Sequence, residues 1–308
     1  MKGENLKWIY LIVLSLVWGS SYILIKKGLI GLTPIQLGAV RITFSTIFLF
    51  LIGFKSLFKI TKTQWPWVAW SALSGTFIPV FLFAYAETEI DSSIASILNS
   101  LVPVFTIFLG FIVFKISFNR NQVIGVVLGL IGAAILIFRG AEINPGQNYF
   151  FSILVIIAAV CYAINANIIK SKLQEVSSMG ITVGNFAVMI VPALICLAFS
   201  GLFQDGLLSE PKVAQSLMFV AVLSVVGTGL AKILFNKLIQ MSTAVFSTSV
   251  TYLIPIVGIF WGVMDNEPFA AIHILASGII LVGVYLVNKK NKQKKEVDTK
   301  PTPSKSIL

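Results

Sequence analysis

Two similar strings stand in opposite halves of the chain, NSLVP at residues 99–103 and TYLIP at residues 251–255. Each lies inside an apolar run, and each is followed seven residues after its proline by a glycine, Gly110 or Gly262. The two prolines are 152 residues apart, about half of the 308-residue length. Proline-interrupted apolar segments in corresponding positions of two halves indicate a membrane protein built from two repeats, with its binding site between them.

The composition excludes an ordinary soluble domain. Hydrophobic residues make up 57% of the chain and charged residues only 11%, whereas a soluble domain carries about 25% charged residues. The mean hydropathy is +0.93, and the sequence contains ten apolar runs of the length, about 20 residues, that crosses a bilayer. Such runs satisfy their backbone hydrogen bonds as helices and lack the alternation of barrel strands. The sequence therefore predicts an all-α integral membrane protein with ten transmembrane helices.

The predicted spans are joined by short connections, the longest at 204–213. The spans are 8–26, 34–54, 65–86, 93–114, 121–139, 149–169, 179–203, 214–237, 242–264 and 268–287. They divide the chain into a cytoplasmic N-terminus at 1–7, a first repeat at 8–140, a second repeat at 149–288 and a basic tail at 289–308. The composition of the tail predicts a disordered cytoplasmic segment.

The basic residues predict the orientation of the spans. With the N-terminus in the cytoplasm, 18 of the 23 Lys and Arg residues lie on the cytoplasmic side, as the positive-inside rule requires. Both termini are therefore expected inside, and Glu87, Glu89 and Asp91 outside. The net charge of +11 lies in loops and tail, without the basic stripe and interleaved aromatic residues that would indicate a nucleic-acid partner.

The two halves also match at a second place. Trp18 and Lys26 in the first span align with Tyr162 and Lys170 in the sixth, at an offset of 144 residues. Each half then has five spans, and because five is odd the second half must cross the membrane in the opposite sense. Inverted repeats of this kind suit alternating access, since one shape can serve both gates. A chance likeness between apolar helices is the alternative.

These features together resemble a known family. The string WGSS at 18–21, Arg41 in the second span and a proline in the fourth and ninth spans are similar to the drug/metabolite transporter superfamily, in particular its EamA-like permeases. The resemblance covers about residues 8–288 and implies a permease of the bacterial inner (cell) membrane, often an exporter of amino acids or related metabolites. The family usually carries Leu-Gly-Glu after the fourth and ninth spans. Glu267 fits the second copy but Lys115 replaces the first, so we expect the two gates to differ in chemistry.

Polar and aromatic residues within the spans are the candidate cavity residues. Polar groups at this depth either bond a neighbouring helix or line a pathway, and aromatic rings could wall a chamber. The candidates are Trp18, Tyr22, Arg41, Tyr85, Ser96, Asn99, Tyr162, Asn165, Lys232, Thr251 and Tyr252. Pro103 and Pro255 are predicted to kink their helices and to act in gating, because proline removes a backbone hydrogen bond; a kink that serves packing alone is the alternative.

Three of the polar candidates leave alternatives open. Arg41 and Lys232 could each bind an anionic group of a substrate, or their side chains could snorkel to a membrane surface. Asn165 is preferred to Asn167 for the cavity, because residues two positions apart on a helix face different ways. His273, the only histidine, is weak evidence for a proton relay.

The motifs of other function classes are missing. No carboxylate falls in the middle of a predicted span, and Glu87 and Glu267 lie near helix ends, where water is expected to solvate them, so the sequence gives proton coupling no support. A Walker-type phosphate loop, paired aspartates and a nucleophile elbow are absent. Cys161 and Cys196 lie in apolar runs, which favours packing over a disulfide or zinc site. We expect no enzymatic activity, no cofactor and no metal.

The leading hypothesis is a secondary permease that moves a small amphipathic metabolite, such as an amino acid, across the bacterial inner membrane by alternating access, as an exporter. The substrate would bind between spans one, three, four, six, eight and nine. A nucleotide-sugar or organophosphate transporter of the same fold is one alternative, and a membrane enzyme or scaffold is another. The expected partners are a small-molecule substrate and the lipid bilayer, without nucleic acid, and the oligomeric state stays open.

Overall fold

The computed structural model describes residues 2–114, 120–143, 146–204, 206–267 and 270–288. These residues form helices and connections, with no strand among them. In chain order the helices are α1 (Lys2–Gly28), α2 (Pro34–Gly53), α3 (Trp65–Ala86), α4 (Ser92–Val113), α5 (Arg120–Ile143), α6 (Tyr149–Lys172), α7 (Ser178–Phe199), α8 (Pro211–Met241), α9 (Ala244–Met264) and α10 (Ala271–Asn288). The predicted all-α membrane fold is confirmed. The predicted span boundaries fall within four residues of these helix ends, except that α1 begins six residues before the first predicted span. Lys115, and the first two residues of the predicted tenth span, lie outside the described residues.

Eight of these helices, α1–α4 and α6–α9, are long and apolar enough to cross a membrane. A shorter apolar helix covers Ala271–Gly283 within α10. Large apolar side chains point away from the protein along the bundle, and Phe199, Leu51 and Phe58 are 87%, 81% and 79% exposed. Because so much apolar surface faces outward, lipid rather than water is its solvent. The count of ten membrane spans stays a prediction.

The first helix of each half packs against the third and fourth helices of the other half. Helix α1 lies against α8 and α9, and α6 lies against α3 and α4. Helices α2 and α7 pack against each other, as do α5 and α10. This exchange of partners is what two interlocked copies of one five-helix unit produce, and it places residues of both halves around the centre of the bundle.

Four of the central helices depart from regular α-helical geometry. Helices α4 and α9 each contain a short 3₁₀ segment, Asn99–Leu101 and Ser249–Tyr252, shortly before an α-helical segment in which the proline is the second residue. Proline lacks the N–H that a continuous helix would use, so the tighter 3₁₀ turn forms where the ladder is interrupted. Helices α3 and α8 contain π-helical segments at Leu73–Phe77 and Leu223–Leu230. Such π-segments are common at functional sites.

Candidate functional site

A cavity of about 90 Å³ lies between the two halves, lined by residues of α1–α4, α6, α8 and α9. Eight of the predicted cavity residues line it: Trp18, Tyr22, Arg41, Asn99, Tyr162, Asn165, Lys232 and Thr251. Tyr85, Ser96 and Tyr252 are not among its lining residues. Tyr85 is 38% exposed, Ser96 donates to the Ser93 carbonyl at 2.6 Å, and Tyr252 packs at the edge of the apolar core.

The two halves build the cavity wall from equivalent aromatic pairs. Trp18 of α1 packs edge-on against Phe235 of α8, with ring centroids 4.8 Å apart. Tyr162 of α6 stacks on Phe83 of α3 at 6.1 Å. Trp18 and Tyr162 are 144 residues apart, and Phe83 and Phe235 are 152 apart, the same offset as the prolines. The repeat thus extends to contacts made across the interface between the halves.

A second pair of similar strings lies at the offset of 152 residues and was not predicted from the sequence. Gly75-Thr76 and Gly227-Thr228 lie 152 residues apart, each inside a π-segment. A Cβ on Gly75 would lie 2.6 Å from Oδ1 of Asn165, and one on Gly227 would lie 2.8 Å from Oγ of Ser21. Glycine is therefore needed where α3 and α8 approach α6 and α1. The shared offset was the available signal for this pair.

Arg41 of α2 crosses to the second half. Its Nε donates to Oγ1 of Thr228 at 2.8 Å, and its side chain is only 9% exposed. Thr228 in turn donates to the Leu223 carbonyl, five residues earlier at 3.0 Å, in the manner of the π-segment. The guanidinium is thus held at the cavity wall and does not extend to a membrane surface.

Lys232 of α8 makes the reciprocal contact into the first half. Its ammonium donates to the Gly75 carbonyl at 2.6 Å and to the hydroxyl of Thr76, and the residue is 6% exposed. The π-segment of α3 thus supplies two acceptors to Lys232 of α8. The π-segment of α8 supplies one acceptor, Thr228, to Arg41 of α2. A buried charge is retained only where such partners compensate it.

The polar residues before the prolines differ between the halves. Oγ1 of Thr251 donates to the Thr248 carbonyl at 2.9 Å. Oδ1 of Asn99 is buried and has no hydrogen-bond partner among the described residues. A buried acceptor at a cavity wall is a natural partner for a donor on a ligand. Asn167 instead donates to the carbonyls of Thr106 and Ala163, both at 3.0 Å, and so ties α6 to α4.

An ionic cluster closes the bundle at the end of α1. We define it as Lys26, Lys27, Asp265 and Glu267. Lys26 Nζ lies 2.7 Å from Asp265 and 2.8 Å from Glu267, and Lys27 pairs with Asp265. Because the two lysines belong to the first half and the two carboxylates to the second, the cluster joins the halves.

Glu267 also caps the first turn of α4. Its carboxylate accepts from the backbone N–H groups of Ser92 and Ser93, both at 3.1 Å, and from the Ser92 hydroxyl at 2.7 Å. Asn266 places it there by turning the chain with a left-handed φ of 59°. The Glu267 N–H then bonds to the Gly262 carbonyl at 2.9 Å, as in a Schellman helix end. Burial alone would raise the pKa of Glu267, but the bonds from Lys26, Ser92 and Ser93 outweigh it and hold the pKa below its ordinary value.

The expectation that Glu87 and Glu267 are solvated is wrong. They are only 8% and 7% exposed. The sequence places both glutamates at helix ends. It does not show that these ends of α3 and α9 lie close to the start of α4 and to Lys26, where both side chains are buried.

At the opposite end of the bundle, the lysine that corresponds to Lys26 bonds within its own half, and in the described part of the chain its partners are carbonyls. Lys170, the counterpart of Lys26, donates to the carbonyls of Ile239 and Ser242 at 3.4 and 2.5 Å, at the end of α8.

His273, at the start of α10, is 2% exposed and its Nδ1 accepts from the Ala270 N–H at 3.1 Å, away from the cavity lining. The described residues contain no group of three or more His, Cys, Asp and Glu that could hold a metal.

The fold is known from experiment. A solved crystal structure matches this chain with a TM-score of 0.62 at 14% sequence identity, covering 93% of this chain and 97% of the other. At this identity the match shows the fold alone.

Full-length relatives are transporters by name. A probable amino-acid metabolite efflux pump of Salmonella typhimurium is 26% identical over 288 residues, covering 88% of this chain and 90% of the relative. An inner membrane transporter of Escherichia coli K12 is 23% identical, covering 90% and 89%. The model of the EamA-like transporter family matches residues 6–138 and again 150–289, one match for each half of the bundle. The chain therefore belongs to the EamA-like transporter family and is a multi-pass membrane transporter.

Proposed function

We propose that this transporter exports a small zwitterionic or anionic metabolite, such as an amino acid, by alternating access. The observation that carries the proposal is the pair of buried cations in the wall of a cavity shared by both halves, Arg41 and Lys232. No carboxylate is found among the described lining residues. The local charge therefore favours a substrate with a carboxylate, for which Arg41 offers a planar set of donors.

The rest of the lining suits the other end of such a substrate. Trp18, Tyr22 and Tyr162 supply aromatic surface, and Asn99 supplies an acceptor that could receive an ammonium N–H. Small-molecule sites combine a mainly apolar wall with a few directed polar groups in this way. The relative named as a probable amino-acid metabolite efflux pump supports the same substrate class.

The ionic cluster is proposed as the gate on the outer side. In the orientation predicted from the basic residues, α1 ends outside, and the cluster would separate when the cavity opens outward. At the cytoplasmic end the contact that would separate instead is that of Lys172 of α6 with the ring of Trp67 of α3, whose centroid lies 5.1 Å from the ammonium. The first and sixth helices would then alternate between closed and open ends as the halves rock against each other.

A nucleotide-sugar or organophosphate substrate is the second candidate, because phosphates also seek cations. Both cations of the cavity already donate to protein groups, Arg41 to Thr228 and Lys232 to Gly75 and Thr76. A phosphate needs several charge-assisted hydrogen bonds at once, so this arrangement favours the single carboxylate of an amino acid.

The test is counterflow in proteoliposomes loaded with unlabelled compound. Labelled L-amino acids form one arm and labelled glucose 6-phosphate and UDP-glucose the other. We expect exchange in the amino-acid arm and its loss in Lys232→Met. Lys237→Met, an exposed lysine five residues along the same helix, is the matched control and should exchange like the wild type. Exchange confined to the phosphate arm, or no exchange in either arm, would overturn the proposal.

A further inference from the structure

Glu87 is a buried carboxyl without a partner. It follows the last residue of α3, its exposed fraction is 8%, and neither carboxyl oxygen has a hydrogen-bond partner among the described residues. An ionised carboxylate in such a place would lose its water and gain no donor in return. The neutral, protonated form is the one that fits this conformation.

The charges around Glu87 point the same way. Burial raises the pKa of its carboxyl well above the ordinary value, and the nearby Glu267 carboxylate raises it further. Arg41 and Lys26 act in the opposite direction and do not overcome these two effects. Tyr22 of α1 also lies within electrostatic range, but it carries no charge at neutral pH.

Glu87 lies between the cavity and the ionic cluster. Its backbone N–H bonds to the Phe83 carbonyl at 2.9 Å, so it stands one helical turn, roughly 6 Å, beyond a residue that lines the cavity. Five residues after it, Ser92 begins α4 and is held by Glu267. The carboxyl is therefore covered while the cluster is closed, and separating the cluster would expose it to water.

We propose that Glu87 is the proton-binding site that couples this transporter to the proton gradient. The inference rests on the proposed transport function. The end of the bundle at the ionic cluster, the Lys26 end, can close over Glu87 only when its carboxyl is neutral, so a proton taken up at this open end becomes the condition for closing. When the cavity, one helical turn away at Phe83, then opens to the cytoplasm, its water accepts the proton. The ionised carboxylate favours reopening of the Lys26 end, so each cycle moves one proton inward. Glu267 keeps its negative charge through its lysine and serine partners, and Glu87 takes the proton. Two neighbouring carboxyls whose environments push their pKa values apart are a known basis for such a division of roles.

The test separates coupling from transport. Proteoliposomes containing trapped pyranine, which reports internal pH, are given a mixture of labelled L-amino acids with and without a pH gradient. For the wild type we expect proton movement with transport and accumulation driven by the gradient. Glu87→Gln, which mimics the protonated carboxyl, should lose both and keep counterflow. Glu89→Gln, two residues away on the same connection and partly exposed, is the matched control and should behave like the wild type.

The outcomes distinguish the two proposals. Wild-type counterflow without any response to the gradient would overturn the proton site and leave the transport function standing. Gradient-driven accumulation retained in Glu87→Gln would also overturn it. If the wild type shows no counterflow, the proposed function itself fails. Glu87→Asp guards against a folding defect: it keeps a carboxyl, so it should retain coupling with a shifted pH dependence, which a purely structural role would not produce.

Discussion

Helices α4 and α9 are repeat-related, yet their first turns are held in different ways. At Ser92 and Ser93 of α4 the N–H groups bond to Glu267, a residue of the other half. At the start of α9 the Phe246 N–H bonds to Oγ1 of Thr243, its own N-cap, at 3.1 Å. Asp91, which precedes α4, makes no side-chain cap bond. The first turn of α4 is therefore capped by a residue of the other repeat, whereas the first turn of α9 is capped by a residue of its own repeat.

This difference has a consequence for gating. The cap on α4 exists only while the two halves meet at the Lys26 end, because Glu267 follows α9 and its partners belong to α1 and α4. The cap on α9 persists in any arrangement of the halves. Opening the Lys26 end therefore breaks ion pairs and exposes charged groups. At the other end of the bundle the bonds of Lys170 lie within the second half, and the halves meet there through contacts such as Lys172 over the ring of Trp67.

The largest effect is expected from Glu267→Gln. The variant removes the ion pair with Lys26 and weakens three hydrogen bonds to α4, at a cost of roughly 2–4 kcal/mol for a charged group paired in a buried place. Lys26 retains Asp265, which limits the loss. Thermal unfolding in detergent should show a clearly lowered Tm.

The solvent exposure of the Lys26 end, where the ionic cluster lies, can be measured independently of thermal stability. A cysteine introduced at Ser93 should react faster with a membrane-impermeant maleimide in the Glu267→Gln background than in the wild type. Equal reactivity in both backgrounds would show that the cluster does not hold this end closed.

Gly262→Ala is expected to have the next largest effect. A Cβ there would lie 2.5 Å from Oε2 of Glu267 and 3.1 Å from Cβ of Ser93, so the cap must shift. We expect a loss of about 1–3 kcal/mol from overpacking, although alanine in a helix is otherwise favoured over glycine by about 1 kcal/mol. Gly278→Ala, with nothing within 4 Å of its new Cβ, should leave the Tm unchanged or raise it. A Tm for Gly262→Ala as high as that of the control would contradict the close approach of α9 and α4.

The fold could be predicted because its signals are local in the sequence. The length of each apolar run predicted a membrane-spanning helix, and the matching strings around Pro103 and Pro255 predicted the two repeated halves. The offset of 152 residues is also what Gly75-Thr76 shares with Gly227-Thr228, so this part of the site was readable from the sequence. The interruption in α4 and α9 follows from proline chemistry alone.

What the sequence could not give is which helix ends meet. Glu87 and Glu267 are 180 residues apart and both stand at helix ends, where solvation is the default expectation. Their burial follows from the packing of α1 against α9 and of α9 against α4. The contacts of Arg41 with Thr228 and of Lys232 with Gly75 also join the two halves. They could not be predicted, because they depend on which helices of the two halves pack together.

The pH dependence of closure at the Lys26 end should have two limbs. Glu267 has a pKa below its ordinary value of 4.5, so its stabilisation is complete above pH 4.5 and is lost as the pH falls through the lowered pKa. Glu87 has a raised pKa, so closure is favoured fully below pH 4.5 and weakens as the pH rises through the raised pKa. Maleimide labelling of the Ser93 cysteine across pH, with the thiolate fraction corrected for, should lose the acid limb in Glu267→Gln and the alkaline limb in Glu87→Gln. A flat wild-type profile would refute both assignments.

The smallest effect is expected from Thr243→Ala. This variant removes the local cap of α9 and should cost about 1 kcal/mol. Because the bond joins a neutral hydroxyl to a backbone N–H within one repeat, the loss should be the same at low and high salt and should not change labelling at Ser93. Glu267→Gln, by contrast, removes ion pairs that salt screens in part, so its Tm deficit should shrink as salt is added. A Thr243→Ala deficit that depends on salt, or that opens the Lys26 end, would mean that the two helix starts are coupled rather than held independently.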